Sequence, residues 1–337
     1  MRKAATRTAI GLLLALVALV PLNPVTGQEP SMPAVCGELS FSTEEDFITH
    51  GPVPPDGQTY ISDGDLLGRG CVICARNADL VMQLDVVADL GLDAADIIDA
   101  ERYMVAFSTE LDSPNRGQFT AGDLLTTKGA IIPNVALTYR FQSGYDLGLD
   151  AVHFVGKHED ILGFLDEILQ YSRDDWLQNP DRLARMLADY AIDIWFSTEG
   201  TWTPVGAPGF LDGDVLSARD GLVVAQIEVL LPPDVPAGIP MRGVDFGLDA
   251  VTSDRAGDEM GIHFSTEILF ENEGSFTDGD VLLAGNGIAY PHRLLVQCFE
   301  AQADFLGLDA FHRMAIEGPP TDVYLPVILK ARGHTIR

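Results

Sequence analysis

The stretch Asp193–Gly200, DIWFSTEG, decides how this chain is read, because its central letters are written four times. Phe-Ser-Thr-Glu stands at 41–44, 107–110, 196–199 and 264–267. The word is rich in β-branched and aromatic residues on its N-terminal side, as in YMVAFSTE and IDIWFSTE, so it reads as a strand. A longer frame surrounds each copy. A Gly-Asp turn follows with two aliphatics, in SDGDLL (62–67), TAGDLL (120–125), LDGDVL (211–216) and TDGDVL (277–282). A polar residue comes next, at Asn77, Asn134, Gln226 and His292, and then Gly-Leu-Asp-Ala at 91–94, 148–151, 247–250 and 307–310.

The four phenylalanines are 66, 89 and 68 residues apart. Removing an insertion of about 22 residues from the middle interval restores a period near ~67, and self-similarity at a fixed period means a repeat architecture. Each unit holds about four short strands, in a sequence with 33 Gly and 20 Pro, which is the pattern of a propeller blade. The expected fold is therefore an all-β repeat protein, a four-bladed β-propeller with a small helical insertion, with tandem β-sandwich-like units as the alternative. The repeats span about 37–94, 95–151, 192–250 and 251–316, within a β domain of 28–322. The ends are complementary: nothing resembling GLDA precedes the first FSTE, and no FSTE follows the last GLDA strand. Pairing of 309–316 with 38–44 would leave no exposed edge there.

Residues 158–191 break the pattern. Ile161, Phe164, Leu165, Ile168 and Leu169 recur at helical spacing, as do Leu183, Met186 and Leu187 beyond Asn179-Pro180. Two short amphipathic helices are expected, as a cover for the β body or as a lid or docking element.

The N-terminal 27 residues carry Arg2, Lys3 and Arg7, then an apolar run and Pro21 and Pro24. That order is the signature of a secretory signal peptide, too short in its apolar part to span a bilayer. The chain has 21 basic and 50 acidic residues, and without the leader's three basic residues the net charge is −32. Such a charge repels nucleic acid and anionic lipid. The expected protein is secreted, with neither a nucleic acid nor a membrane as partner. Cys36, Cys71, Cys74 and Cys298 are an even number in an exported chain, which implies two disulfides with three possible connectivities. CVIC at 71–74 lacks the second ligand pair that zinc requires.

Three acids recur in all four copies: the Glu of FSTE (Glu44, Glu110, Glu199, Glu267), the Asp of GLDA (Asp93, Asp150, Asp249, Asp309) and the turn Asp (Asp65, Asp123, Asp214, Asp280). Turn aspartates commonly accept backbone hydrogen bonds. Oxygen ligands in an exported, acidic chain also suit calcium, and Asp65, Asp123, Asp214 and Asp280 are the expected ligands. The spacing matches no EF-hand. Glycine before each turn Asp is expected to supply backbone freedom.

No nucleophile elbow, zinc motif, phosphate loop or dinucleotide fingerprint is present. The repeated acids leave open a carboxylate pair for glycoside hydrolysis. All three tryptophans, Trp176, Trp195 and Trp202, lie in one stretch with Tyr190 and Phe210. They are read as core and helix packing, with a sugar-stacking platform as the alternative.

The FSTE, DGDVL and GLDA words together resemble a class of uncharacterised bacterial exported repeat proteins, over about residues 37–316. The ending VYLPVILK, within a C-terminal strand and tail at 323–337, is similar to segments closing secreted proteins of filamentous green non-sulfur bacteria. The resemblance implies no activity and carries no catalytic residue. The expected function is an exported, non-catalytic binding or scaffold protein, calcium-stabilised, acting on an extracellular protein or glycan. The alternative is an extracellular glycan-acting hydrolase.

Overall fold

Each Phe-Ser-Thr-Glu word ends the second strand of a four-stranded antiparallel sheet. A computed structural model describes residues 31–314, apart from 206–208, 239–243, 273 and 304–305. The leader and the tail with VYLPVILK therefore lie outside the described residues. The strands are β1 Leu39–Phe41, β2 Phe47–Ile48, β3 Tyr60–Ile61, β4 Leu66–Gly68, β5 Val72–Ala75, β6 Ala94–Asp99, β7 Met104–Ser108, β8 Leu124–Thr126 and β9 Ile131–Ile132. They continue as β10 Ala151–Val155, β11 Asp193–Ser197, β12 Val215–Ser217, β13 Val223–Ala225, β14 Ala250–Thr252, β15 His263–Ser265, β16 Val281–Leu283, β17 Gly287–Tyr290 and β18 Phe311–Arg313.

The four sheets have the orders β18-β1-β4-β5, β6-β7-β8-β9, β10-β11-β12-β13 and β14-β15-β16-β17, with β2-β3 as a small hairpin. In each, the GLDA word leads into the first strand, FSTE ends the second and the Gly-Asp turn starts the third. The C-terminal strand joins the N-terminal one, with Leu39 opposite Arg313 and Phe41 opposite Phe311. Among the described residues no sheet closes on itself. The first strands instead lie beside one another in the order β6, β10, β14, β18 and back to β6.

Side chains alternate across a strand, and here both faces are covered. Phe107 and Ala106 are each fully buried but belong to different apolar clusters. Four such clusters exist, each filling the space between two neighbouring sheets. The FSTE phenylalanines Phe41, Phe107, Phe196 and Phe264 are all 0% exposed.

The FSTE serine joins one sheet to the next. Ser108 Oγ donates to the Leu149 carbonyl at 2.7 Å, Ser197 Oγ to Leu248 at 2.8 Å and Ser265 Oγ to Leu308 at 3.0 Å. Each acceptor is the leucine of the GLDA word opening the following sheet. Ser42 is the exception: its buried hydroxyl has no hydrogen-bond partner.

The insertion forms three helices, not two: His158–Ile168, Arg173–Gln178 and Asp181–Asp189. Ser172 and Asp175 build a reciprocal capping box that starts the middle one. Ile161, Phe164, Ile168, Trp176, Leu183 and Leu187 fill the cluster between the second and third sheets. Trp176 is fully buried there, whereas Trp195 belongs to another cluster. Trp202 donates its ring N–H to the Phe141 carbonyl at 3.2 Å. Trp202 packs on the edge of the cluster that holds Trp176, so only Trp195 lies apart from the other two.

The cysteines pair as Cys36–Cys74 and Cys71–Cys298. The adjacent pair in CVIC therefore bonds outward to two different partners, and the second bond ties the first sheet to the segment following the fourth. Two disulfides suit an oxidising compartment. Among the described residues no helix is long and apolar enough to cross a membrane.

The serine bonds give a direct prediction. Ser108→Ala and Ser197→Ala each leave a buried carbonyl unpaired and are expected to destabilise by about 1–2 kcal/mol. Ser42→Ala removes an unpartnered hydroxyl and is expected to be neutral or stabilising. Equilibrium denaturation of the three variants measures the contrast.

Candidate metal centre

The turn aspartates, expected as calcium ligands, have other partners. Asp214 Oδ2 accepts the Leu211 N–H at 3.0 Å and Oδ1 the Ile227 N–H at 3.0 Å. Asp280 does the same with Thr277 and His292, at 2.8 and 2.7 Å. Asp65 and Asp123 bond Ser62 with Asn77, and Thr120 with Asn134. Each carboxylate thus fixes its own turn and caps a short helix from across it. Asp65 also takes Arg76, and Asp123 takes Arg173 of the insertion at 2.5 Å. The repeat's polar position is shifted by one in the third copy. The helix there starts at Ile227, and Gln226 is exposed before it. His292 replaces the asparagine by accepting the Leu306 N–H on Nε2 at 2.9 Å.

The other two repeated acids converge. Asp93, Asp150 and Glu199 place one carboxylate oxygen each within 4.8 Å of one another, and so do Asp150, Asp249 and Glu267. Asp150 belongs to both groups. The GLDA aspartates precede β6, β10, β14 and β18, the mutually adjacent first strands, so strand packing alone brings them together. They are 4–8% exposed. Oδ2 of Asp150, Asp249 and Asp309 is buried with no hydrogen-bond partner.

The rest of each word holds the glutamate against this group. The FSTE threonine hydroxyl donates two residues onward, from Thr43, Thr109, Thr198 and Thr266 to the carbonyls of Glu45, Leu111, Gly200 and Ile268 at 3.0–3.2 Å. This closes a tight turn around the glutamate. Glycine of GLDA leaves room for it. A Cβ on Gly148 would stand 2.1 Å from Glu199 Cγ, and one on Gly307 2.0 Å from Glu44 Cδ. Gly91, Gly148 and Gly247 also have φ of +69°, +80° and +63°, a region closed to most side chains. The turn glycines differ from expectation: Gly64, Gly122, Gly213 and Gly279 do not have positive φ. They are needed for space, since a Cβ on Gly122 would lie 2.1 Å from Asp146 Oδ1.

The electrostatics follow from the packing. Burial, reinforced by neighbouring carboxylates, pushes Asp93, Asp150, Asp249 and Asp309 well above the usual carboxylate range. Burial first, then acidic neighbours, raises Glu44, Glu110 and Glu267 to about 7, and burial raises Glu199. Among the described residues no Arg, Lys or His forms an ion pair with any of these eight. An all-oxygen group of this kind can take up protons or a hard cation.

A contrasting cluster lies three residues further along each first strand, where the copies carry Asp96, His153, Thr252 and His312. Asp96 is 1% exposed. It accepts the Phe154 N–H at 2.7 Å and His312 Nδ1 at 2.8 Å, and the Arg255 guanidinium grips both its oxygens. Burial opposes its ionisation, but Arg255 and the imidazoles outweigh it and hold the carboxyl well below its usual range. No sequence pattern joins Asp96 to Arg255, because the two meet only across 159 residues of chain.

The raised glutamates predict a pH dependence. A carboxyl whose folded pKa exceeds its unfolded value near 4.5 contributes stability that is complete below that value and lost as pH rises through about 7. In chelator, the melting temperature is expected to fall steadily between pH 5 and pH 8, as scanning calorimetry would record. Comparison with known proteins assigns the chain to no family: no family model, no curated protein and no solved structure matches it.

Proposed function

We propose that this is an exported, non-catalytic binding or scaffold protein whose four sheets stand as the blades of a four-bladed β-propeller. The observation that carries the reading is that the repeated words build and join sheets. Phe fills the cores, Ser bonds to the next sheet, and the first strands neighbour one another in a cycle. The leader and the two disulfides support export. The net charge points the binding surface toward an extracellular protein or glycan rather than nucleic acid.

The hydrolase reading has one observation in its favour. A groove of about 690 Å³ lies where the insertion meets the third sheet, lined in part by Lys157, His158, Glu159, Asp193, Trp195 and Arg219. No repeat predicts it, and its size suits a ligand. Its carboxylates do not suit hydrolysis. Asp193 is taken by Ser217 Oγ at 2.6 Å and by the N–H groups of Ile194 and Arg219. Glu159 is the one lining carboxylate without a bonding partner, where the reaction uses two.

Incubation of the mature protein with a panel of polysaccharides, read by reducing ends and by retention on the same polymers, separates the two. Retention or no interaction, without new reducing ends, is expected. Turnover abolished by Glu159→Gln would establish the hydrolase instead.

A further inference from the structure

We infer that the GLDA aspartates and FSTE glutamates form a site for a hard divalent cation, calcium by size and charge, at the meeting point of the four sheets. This goes beyond the scaffold reading and requires only the observed convergence of the carboxylates, not any particular partner.

Three observations carry it. The first is the orphaned oxygens: Oδ2 of Asp150, Asp249 and Asp309 is buried without a partner, in residues no more than 7% exposed. Buried polar atoms in folded proteins are nearly always satisfied. The second is internal comparison. The turn aspartates Asp65, Asp123, Asp214 and Asp280 are as buried, and each has both oxygens hydrogen-bonded. Asp96 is more buried and receives Arg255. Among the described residues the other repeated buried aspartates thus have partners, and no cationic side chain pairs with this group. The third is geometry. Calcium binds carboxylate oxygens at roughly 2.3–2.6 Å, so ligands on opposite sides stand about 5 Å apart. The oxygens of both three-residue groups lie within 4.8 Å of one another. Magnesium demands shorter bonds of about 2.1 Å in a strict octahedron and keeps several waters, which this crowded, all-carboxylate group fits less well.

The ligands come from different sheets. Asp93 belongs to the second, Asp150 and Glu199 to the third, Asp249 and Glu267 to the fourth, so an ion in either group would tie two neighbouring sheets, with Asp150 common to both. Asp309, just ahead of the C-terminal strand, carries the same kind of buried, partnerless oxygen but stands outside both groups.

The test is calorimetric titration of the EDTA-stripped mature protein with calcium chloride and with magnesium chloride, followed by thermal melts. Saturable calcium uptake is expected, with a melting midpoint raised by about 5 °C at ~100 times the dissociation constant and a weaker response to magnesium. Asp150→Asn/Asp249→Asn is expected to weaken calcium binding at least 100-fold, yet to melt in EDTA no lower than the wild type, because it removes repulsion rather than a bond. Asp214→Asn, in a turn, is expected to lose stability but keep calcium affinity. The inference is overturned if the wild type takes up no calcium, or if the double variant binds it as tightly. Equal affinity for magnesium would overturn the assignment to calcium. If the double variant melts well below the wild type in EDTA and still binds, the aspartates are structural. None of these results bears on glycan turnover, so the scaffold reading stands or falls separately.

Discussion

Mutual repulsion among buried carboxylates is the constraint around which the repeats are organised. Bringing four first strands side by side puts the third residue of each GLDA word, one or two places before the strand, into one small volume, and in every copy that residue is Asp. Four glutamates are then turned onto the same place by the threonine bonds behind them. Like charges in a low-dielectric setting disfavour ionisation strongly, yet the words that create the crowding are identical in all four copies. Glycine at the front of GLDA admits the glutamate and, at Gly91, Gly148 and Gly247, takes up the positive φ of the turn. Serine and phenylalanine fix the strands that carry the group. A chain selected only for sheet packing would have placed an amide or a hydroxyl there.

Repetition and its breakdown are separated by a single turn of strand. At Asp93, Asp150, Asp249 and Asp309 the copies agree, and among the described residues no basic side chain pairs with them. Three residues on, the copies hold Asp96, His153, Thr252 and His312, and Arg255 meets the one carboxylate among them. The second level makes the closure of the chain specific: Asp96 in β6 reaches His312 in β18 and Arg255 after β14, three of the four first strands. The disulfide Cys71–Cys298 supports the same junction covalently. Buried ion pairs are uncertain contributors to stability, but losing one partner is strongly destabilising, so this cluster fixes how the first strands meet.

Much of the architecture was legible in the sequence because it is local or periodic. FSTE reads as a strand from its composition, the period marks four units, and the unmatched ends foretell the pairing of Phe41 with Phe311. The helical insertion was visible in the spacing of Ile161, Phe164 and Leu165, although the capping box at Ser172 divides it into three. What the sequence concealed is long-range. Turn Asp and GLDA Asp repeat equally well, and nothing in one dimension tells that the first faces backbone N–H groups while the second faces its own copies. The turn glycines looked conformational, but the contact that requires them, Gly122 against Asp146, spans 24 residues of chain. Ile227 takes the place expected for Gln226, because the position is set by where the Asp214 carboxylate caps the helix.

The central claim is that the carboxylate group is a cation site, and crystallography of the mature protein grown with calcium tests it most directly. An anomalous difference peak is expected among Asp93, Asp150 and Glu199 or among Asp150, Asp249 and Glu267, with carboxylate oxygens at about 2.3–2.6 Å. Carboxyl pairs hydrogen-bonded to one another through shared protons, with water or nothing between them at saturating calcium, would contradict it.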